Sequence, residues 1–188
     1  MEKSLRALLE EDEKLLWFGC PEPFETMDKT NKKSILIGLV IKALVIAGCL
    51  ALYIQSAKSS GEAKPVMLLL ILGVGAWAIA NPFLTARRLR EKTIYGLTDR
   101  RVLRSGANDE SVPYERIKSA VLRRDADGHT TLLCGPRTQN LKPHQWRGEA
   151  DASFINGPDD PEALRVILYN IPLDKTCREV LRQYLGVQ

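Results

Sequence analysis

Residues 35–54 read Ile-Leu-Ile-Gly-Leu-Val-Ile-Lys-Ala-Leu-Val-Ile-Ala-Gly-Cys-Leu-Ala-Leu-Tyr-Ile, twenty residues with a single charge, that of Lys42. A helix of this length rises about 30 Å, the thickness of the hydrocarbon core of a bilayer. A second run, residues 66–86, carries no charge and contains the dipeptide Asn81-Pro82. The two runs predict two transmembrane helices, 35–54 and 66–86. The alternative, two helices buried in a soluble protein, requires surrounding apolar material that so short a chain lacks.

The segment between the two runs, residues 55–65, is short and polar, so we expect an antiparallel hairpin with an external loop. Basic residues beside membrane helices favour the cytoplasmic side. The loop contains two of them, Lys58 and Lys64. The flanks contain seven: Lys29, Lys32, Lys33, Arg87, Arg88, Arg90 and Lys92. This excess predicts a multi-pass protein of the cytoplasmic (inner) membrane with both termini in the cytoplasm.

Six of the basic residues in the flanks are expected to contact anionic lipid at the membrane surface: Lys32, Lys33, Arg87, Arg88, Arg90 and Lys92. Such attraction contributes about 1 kcal/mol per basic residue and does not by itself distinguish one headgroup from another. The whole chain has a net charge of only +4, and it contains no block of five or six like charges. We therefore expect no nucleic-acid partner.

Lys42 is unusual because it lies well inside the first apolar run. Inserting a lysine at the centre of a membrane helix costs about 2.5–3.5 kcal/mol, so its presence needs an explanation. Its long side chain could reach the cytoplasmic headgroups or donate a hydrogen bond to the neighbouring helix. Alternatively, Lys42 serves transport or oligomerisation from within the membrane. Both interpretations stay open at the level of sequence.

The rest of the chain divides into two parts around the hairpin of residues 34–86. Residues 1–33 are expected to form a cytoplasmic segment that contributes a helix and a first strand, and residues 87–188 a cytoplasmic domain. The strands predicted in that domain are 93–98, 101–105, 112–114, 117–123 and 129–134, with Phe154-Ile155 as a further candidate.

The connections of this domain carry their own signals. Asp127-Gly128, between the last two long strands, predicts a type I′ hairpin turn. Residues 135–152 have the composition of an enlarged loop. Helices are predicted from Asp160-Pro161 through Leu168 and from Asp174 to Leu185.

Residues 95–102, Tyr-Gly-Leu-Thr-Asp-Arg-Arg-Val, resemble the Tyr-x-Leu-Thr-x-x-Arg-Val signature of bacterial pleckstrin-homology-like membrane proteins, where it follows two transmembrane helices. Residues 12–21 contain the Glu-x-x-Leu-Trp-x-Gly-x-Pro pattern that precedes the first helix in that family, and residues 154–162 look like its junction before the terminal helix. The resemblance covers nearly the whole chain and departs from the family in residues 135–152. It implies an α+β membrane protein: a two-helix transmembrane hairpin plus a pleckstrin-homology-like antiparallel β-sandwich or partly open barrel with a C-terminal helix.

The signature residues of this resemblance are Trp17, Tyr95, Thr98 and Arg101, and structural roles explain most of them. Thr98 begins a tight turn, and Arg101 can pair across strands. Trp17 suits either a first strand packed on the sheet or an aromatic anchor at the membrane interface.

Motifs for catalysis or metal binding are missing from the sequence. With two histidines there is no His-Glu-x-x-His, and neither a phosphate-binding glycine loop nor a Gly-x-Ser-x-Gly elbow occurs. Asp125 and Asp127 lack the distal ligands of a calcium loop, and Cys134 and His144 lack the second pair of a zinc site. The four cysteines are not closely paired, so free thiols are expected. The sequence therefore predicts no enzyme, no catalytic residue, no metal and no cofactor.

These observations favour a membrane-anchored binding or scaffold module that mediates protein interaction or self-assembly at the cytoplasmic membrane surface. Its expected partners are the lipid bilayer and a protein of unknown identity or a second copy of the chain, with no small-molecule substrate evident. The alternative is an accessory subunit of a transporter or membrane enzyme complex, with Lys42 facing a polar cavity between helices.

Overall fold

Two long apolar helices separate the first strand from the second in an α+β fold with two antiparallel sheets. The computed structural model describes residues 5–60, 64–106, 109–152 and 164–187. The strands are β1 Leu15–Gly19, β2 Ile94–Thr98, β3 Arg101–Ser105, β4 Glu110–Pro113, β5 Ala120–Arg124, β6 Thr130–Cys134 and β7 Val166–Leu168. The helices are α1 Lys29–Ser60, α2 Pro65–Lys92, α3 Pro143–Ala150 and α4 Lys175–Leu185, with 3₁₀ helices at Tyr114–Arg116 and Pro136–Asn140.

Helices α1 and α2 are each long and apolar enough to cross a membrane. They extend beyond the predicted spans 35–54 and 66–86, because their polar flanks continue the helical conformation. Much of the predicted loop is therefore helical, with its first residues in α1. Pro65 opens α2 at the first helical position, where its missing N–H and fixed φ cost nothing.

The strands form a four-stranded sheet in the order β1-β2-β3-β4 and a three-stranded sheet in the order β5-β6-β7, and the two do not close into a barrel. Strand β1 pairs with β2 across the inserted helices, with Trp17 opposite Leu97. Of the two alternatives for Trp17, the structure shows the strand. Its ring leaves no room for a side chain at Gly19, where an added Cβ would lie 2.6 Å from the indole.

Strands β6 and β7 of the three-stranded sheet are buried on both faces. In β6, Leu132 and Cys134 point to a core that lies against the four-stranded sheet and α4. Leu133 points the other way, to a second core that includes Leu89 of α2 and Trp146 of α3. This alternation follows from the two-residue period of a strand. It also ties the end of α2 to the sheets.

Three sequence predictions are wrong. Residues 166–168 form strand β7, not the second turn of a helix, because three consecutive buried apolar residues complete the open edge of β6. Residues 135–152 contain a 3₁₀ helix and α3, not a plain loop. In the β5–β6 turn only Gly128 has a positive φ, 89°, so the turn is not type I′.

Other predictions in this region have different outcomes. The helix expected from Asp174 to Leu185 is confirmed as α4, with Asp174 as its N-cap accepting a hydrogen bond from the backbone N–H of Cys177 at 2.7 Å. The candidate strand at Phe154-Ile155 and the helix start at Asp160-Pro161 lie outside the described residues.

Candidate functional site

Lys42, the charged residue of the first apolar run, bonds to the neighbouring helix. Its Nζ donates to the backbone carbonyl of Ala78 at 2.7 Å. Ala78 is four residues before Pro82, which lies inside α2 and has no N–H to complete the helical hydrogen bond to that carbonyl. Lys42 therefore supplies the donor that the proline removes. The structure therefore contains the interhelical hydrogen bond that the sequence allowed, and a role of Lys42 in transport or oligomerisation stays a prediction.

We expect Lys42 and Pro82 to be energetically coupled. Lys42→Met leaves the Ala78 carbonyl without a donor, and it should destabilise the helix pair by about 1 kcal/mol. In a Pro82→Ala background the helix supplies its own N–H, so the same replacement should cost much less. Thermal unfolding of the full chain in detergent, followed by circular dichroism, measures both differences. An equal cost in the two backgrounds would contradict the coupling.

Close packing of the two helices continues beyond Lys42. An added Cβ at Gly75 of α2 would lie 2.8 Å from Cδ1 of Ile46 on α1. The absence of a side chain thus allows the two helices to approach each other, as small residues do in apolar helix pairs.

The N-terminus of α1 is fixed by a buried ion pair. Asp28 caps the helix, and its Oδ1 accepts the backbone N–H of Asn31 at 2.7 Å. Its Oδ2 pairs with the guanidinium of Arg147 from α3, and both side chains are 5% exposed. The same guanidinium donates to the backbone carbonyl of Thr26 at 2.8 Å and lies 4.6 Å from the ring centre of Phe24. A single arginine thus joins α3 to the segment that leads into α1.

The β5–β6 turn holds the same helix end from a second direction. The carboxylate of Asp127 accepts the backbone N–H groups of Lys29 at 3.1 Å and Thr30 at 2.8 Å. Burial would raise the pKa of Asp127, but the hydroxyl of Thr30, which donates to the carboxylate at 2.6 Å, and the two backbone N–H groups lower it. Beside it, Nδ1 of His129 lies 3.0 Å from Oδ2 of Asp125 and 3.3 Å from the hydroxyl of Tyr169. Hydrogen bonds from the β5–β6 turn therefore fix the start of α1 to the three-stranded sheet.

Asp28, Asp127 and His129 offer ligand atoms within 4.8 Å of one another, so they are the described residues best placed to hold a cation. Both carboxylates already accept hydrogen bonds from backbone N–H groups of α1. The Asp28 carboxylate also accepts one from Arg147. A cation would have to displace these donors. The arrangement therefore favours helix capping over metal binding.

The basic residues predicted to contact lipid fall into two groups. Arg87 pairs with Glu91 at 2.8 Å, and Arg88 pairs with Asp151 at 2.7 Å. Arg90 donates to the carbonyl of Phe24 at 3.4 Å. The lysines Lys32, Lys33 and Lys92 are exposed, and no side-chain partner occurs for them in the described ranges. Lipid contact by all six stays a prediction.

Arg101 forms the strongest polar contact among the signature residues. It donates to the two carboxylate oxygens of Glu13 at 2.9 and 2.7 Å, and the Glu13 side chain is fully buried. Burial alone would raise the pKa of Glu13, but the hydrogen bonds from Arg101 and from the backbone of Glu10 lower it to about 2. The pair joins the segment before β1 to the β2–β3 turn.

The remaining signature residues form hydrogen bonds that join strands, turns and helix α4. Thr98 Oγ1 accepts the backbone N–H of Arg101 at 2.9 Å and shapes the β2–β3 turn. The Tyr95 hydroxyl accepts the N–H of Tyr169 at 3.1 Å. The indole of Trp17 donates to Asp174, the cap of α4, at 3.0 Å.

A groove of about 360 Å³ lies between β5 and α4. Its apolar surface comes from Leu122, Leu173, Leu181 and Val187, and its basic surface from Arg123, Arg124, Arg178 and Arg182. Strand β5 pairs with β6 on one side, and no described strand pairs with its other edge. The side chains of Arg123, Arg124 and Arg182 have no hydrogen-bond or ion-pair partner in the described part of the chain. Within the described residues, this groove is an open basic surface in which three arginines lack an acidic partner.

Sequence reasoning missed most of these contacts. Asp28 carries a readable signal, since aspartate directly before a helix is a preferred N-cap. Arg147 carries none, because its partner Asp28 is 119 residues away in the chain. The basic groove combines strand and helix residues that only the fold brings together.

Comparisons of the chain with protein-family models, with curated proteins and with solved structures give no match.

Proposed function

We propose that the chain is a membrane-anchored binding module of pleckstrin-homology-like fold. In this proposal, α1 and α2 cross the inner membrane, both termini lie in the cytoplasm, and the sheets bind an acidic, extended segment of a partner protein. The exposed apolar surface of the helices supports the anchor, with Leu44 67% exposed, Leu69 69% and Trp77 64%. Surfaces of this kind need a lipid or protein cover.

The groove between β5 and α4 is the observation that carries the binding role. An unpaired strand edge offers backbone N–H and C=O groups to an added strand, while a neighbouring groove selects its side chains. Here the selecting groups are arginines with an apolar floor. A segment that alternates acidic and apolar residues matches both features.

Cysteine labelling tests the topology. Burial raises the pKa of the Cys134 and Cys177 thiols to about 12, so only Cys20 and Cys49 need replacement to give an unreactive background. In intact cells, a membrane-impermeant thiol reagent should label Ser59→Cys at the end of α1. It should leave Thr176→Cys, an exposed position on α4, unlabelled until the cells are permeabilised.

Labelling of position 176 in intact cells would place the sheets outside and overturn the topology. Failure of the chain to remain with membranes after alkaline carbonate extraction would overturn the anchor itself.

Charge reversal tests the groove. A fluorescent decapeptide that alternates glutamate and valine should bind the full chain, and the lysine–valine version should not. Arg182→Glu should weaken the binding by about fivefold or more, because it replaces attraction by repulsion at a desolvated contact. Arg116→Glu makes the same charge change at an exposed position outside the groove and should have little effect. Equal binding of both peptides, or equal effects of both variants, would contradict the proposal.

The alternative of an accessory subunit places the function at Lys42. In the structure its Nζ is bonded to a backbone carbonyl, which supports a structural role. Lys42→Leu separates the two ideas: a binding module should keep its partner, whereas a subunit of a transporter or membrane enzyme should lose activity while still assembling.

A further inference from the structure

A polar cleft of about 240 Å³ opens where α3 meets the first turns of α1 and the second half of α2. Its polar lining comes from all three helices: Asn31, Ser34 and Lys42 of α1, Asn81 and Thr85 of α2, and His144 and Arg147 of α3. None of its lining residues is acidic, but the Asp28 carboxylate pairs with Arg147, so the positive charge left without an ion pair is that of Lys42. The cleft is therefore suited to a group that accepts hydrogen bonds and carries negative charge.

Several donors in this cleft are unused. Ser34, Asn81 and His144 form no side-chain hydrogen bond within the described residues. The Arg147 side chain is only 5% exposed, and its Nε is buried without a hydrogen-bond partner among the described residues. Buried donors are normally satisfied, and an unpaired one indicates a missing acceptor. Lys42 uses one of its three N–H groups for Ala78 and keeps two.

An apolar groove of about 360 Å³ continues from the cleft between α1 and α2. Lys42 lines both, so it marks the junction of the polar part and the apolar part. On α1 the lining positions follow one another at spacings of three to four residues: Ser34, Gly38, Lys42, Val45 and Cys49. This spacing places them on one face of the helix. The two cavities thus lie one after the other along this face of α1 and meet at Lys42, with the polar one before it and the apolar one after it.

We propose that the cleft and the groove together bind one anionic phospholipid, with its phosphate in the cleft and an acyl chain along the groove. The site rests on the proposed function, because a lipid reaches it only if α1 and α2 lie in the membrane. It differs from general surface attraction, which acts through exposed basic residues and does not require a cavity. The polar and apolar ends match the two parts of a phospholipid, and the ammonium of Lys42, which has no carboxylate partner, matches its charge.

Native mass spectrometry of the full chain in mild detergent tests the site, with phosphatidylglycerol and phosphatidylcholine of the same acyl chains as probes. One phosphatidylglycerol should be retained in preference to phosphatidylcholine. Gly38→Leu should reduce its retention by about tenfold, because an added Cβ at Gly38 meets nothing within 4 Å and the leucine fills the cleft. Gly48→Leu is the matched control, since Gly48 is equally open but lines neither cavity.

A second pair of variants keeps the test valid if leucine disturbs the helices. Ser34→Glu puts a carboxylate at the exposed mouth of the cleft and should reduce retention by about fivefold. Ser59→Glu adds the same charge at the far end of α1 and should leave the retention of the lipid unchanged.

Three results would overturn the lipid site: equal retention of both phospholipids, equal effects of each variant and its control, or release of the lipid by inorganic phosphate alone. The last result would assign the cleft to a free anion. These failures are separate from failure of the proposed function, because the same preparation can remain in membranes after carbonate extraction and bind the acidic peptide while showing no lipid preference.

Discussion

Replacing Arg147 by methionine is expected to lower the free energy of unfolding of the sheets by about 3–5 kcal/mol, because the replacement leaves the Asp28 carboxylate buried without its partner. The effect should be large since both side chains are 5% exposed and the guanidinium also holds two backbone carbonyls. Urea unfolding followed by tryptophan fluorescence measures it, and Trp146 next to Arg147 is a suitable reporter.

The matched control uses an exposed ion pair. Arg87→Met removes the pair with Glu91, which lies in solvent, and it should leave the unfolding midpoint unchanged. The double variant Arg147→Met with Asp28→Asn should recover part of the loss, because no uncompensated charge is left buried. A small effect of Arg147→Met alone would show that the junction does not hold α1 as described.

Replacing Glu13 by glutamine is expected to remove a specific acid sensitivity. The pKa of Glu13 is about 2 in the folded chain, below its ordinary value of 4.5. Its contribution to stability is therefore complete above pH 4.5 and is lost as the pH falls from about 4.5 towards 2. At pH 7 Glu13→Gln should cost about 2 kcal/mol, because a charge-assisted hydrogen bond to Arg101 becomes a neutral one. Below about pH 2 the difference from the unmodified chain should largely vanish.

Glu10 provides a control for this measurement. It pairs with the same arginine at 3.0 Å but is 61% exposed, so Glu10→Gln should cost less than about 1 kcal/mol and leave the acid profile almost unchanged. Denaturant unfolding at a series of pH values distinguishes the two. Parallel acid profiles for Glu13→Gln and the unmodified chain would show that another group causes the acid sensitivity.

The sequence predicts those elements that a local pattern determines. Long apolar runs predict α1 and α2, alternation and turn residues predict most strands, and Asp174 predicts the start of α4. Strand β7, residues 166–168, is not predicted because so short an apolar run has no readable period. Pairing with the open edge of β6 is what makes it a strand. Helix α3 is short and lacks a long apolar stripe, so its composition is typical of a loop.

The site is harder to predict than the fold because its contacts are distant in sequence. Lys42 stands out as a charge in an apolar run, but its role depends on Ala78, which shows no signal of its own. Pro82 holds the missing information, since the residue four positions before a proline in a helix always lacks its usual donor. The pairing of Arg147 with Asp28 requires the complete fold.

The insertion of α1 and α2 between β1 and β2 also sets an order of events during synthesis. Strand β1 leaves the ribosome before either helix, but the strand it pairs with, β2, emerges only after both. The four-stranded sheet therefore cannot be completed until the hairpin has been made, and until then β1 has an unpaired edge and Trp17 lacks its place in the core. Pairing of β1 with β2 closes a long loop, and packing of α1 against α2 brings the two ends of that loop together, which lowers the cost in entropy. Formation of the helix hairpin would in this way precede completion of the four-stranded sheet.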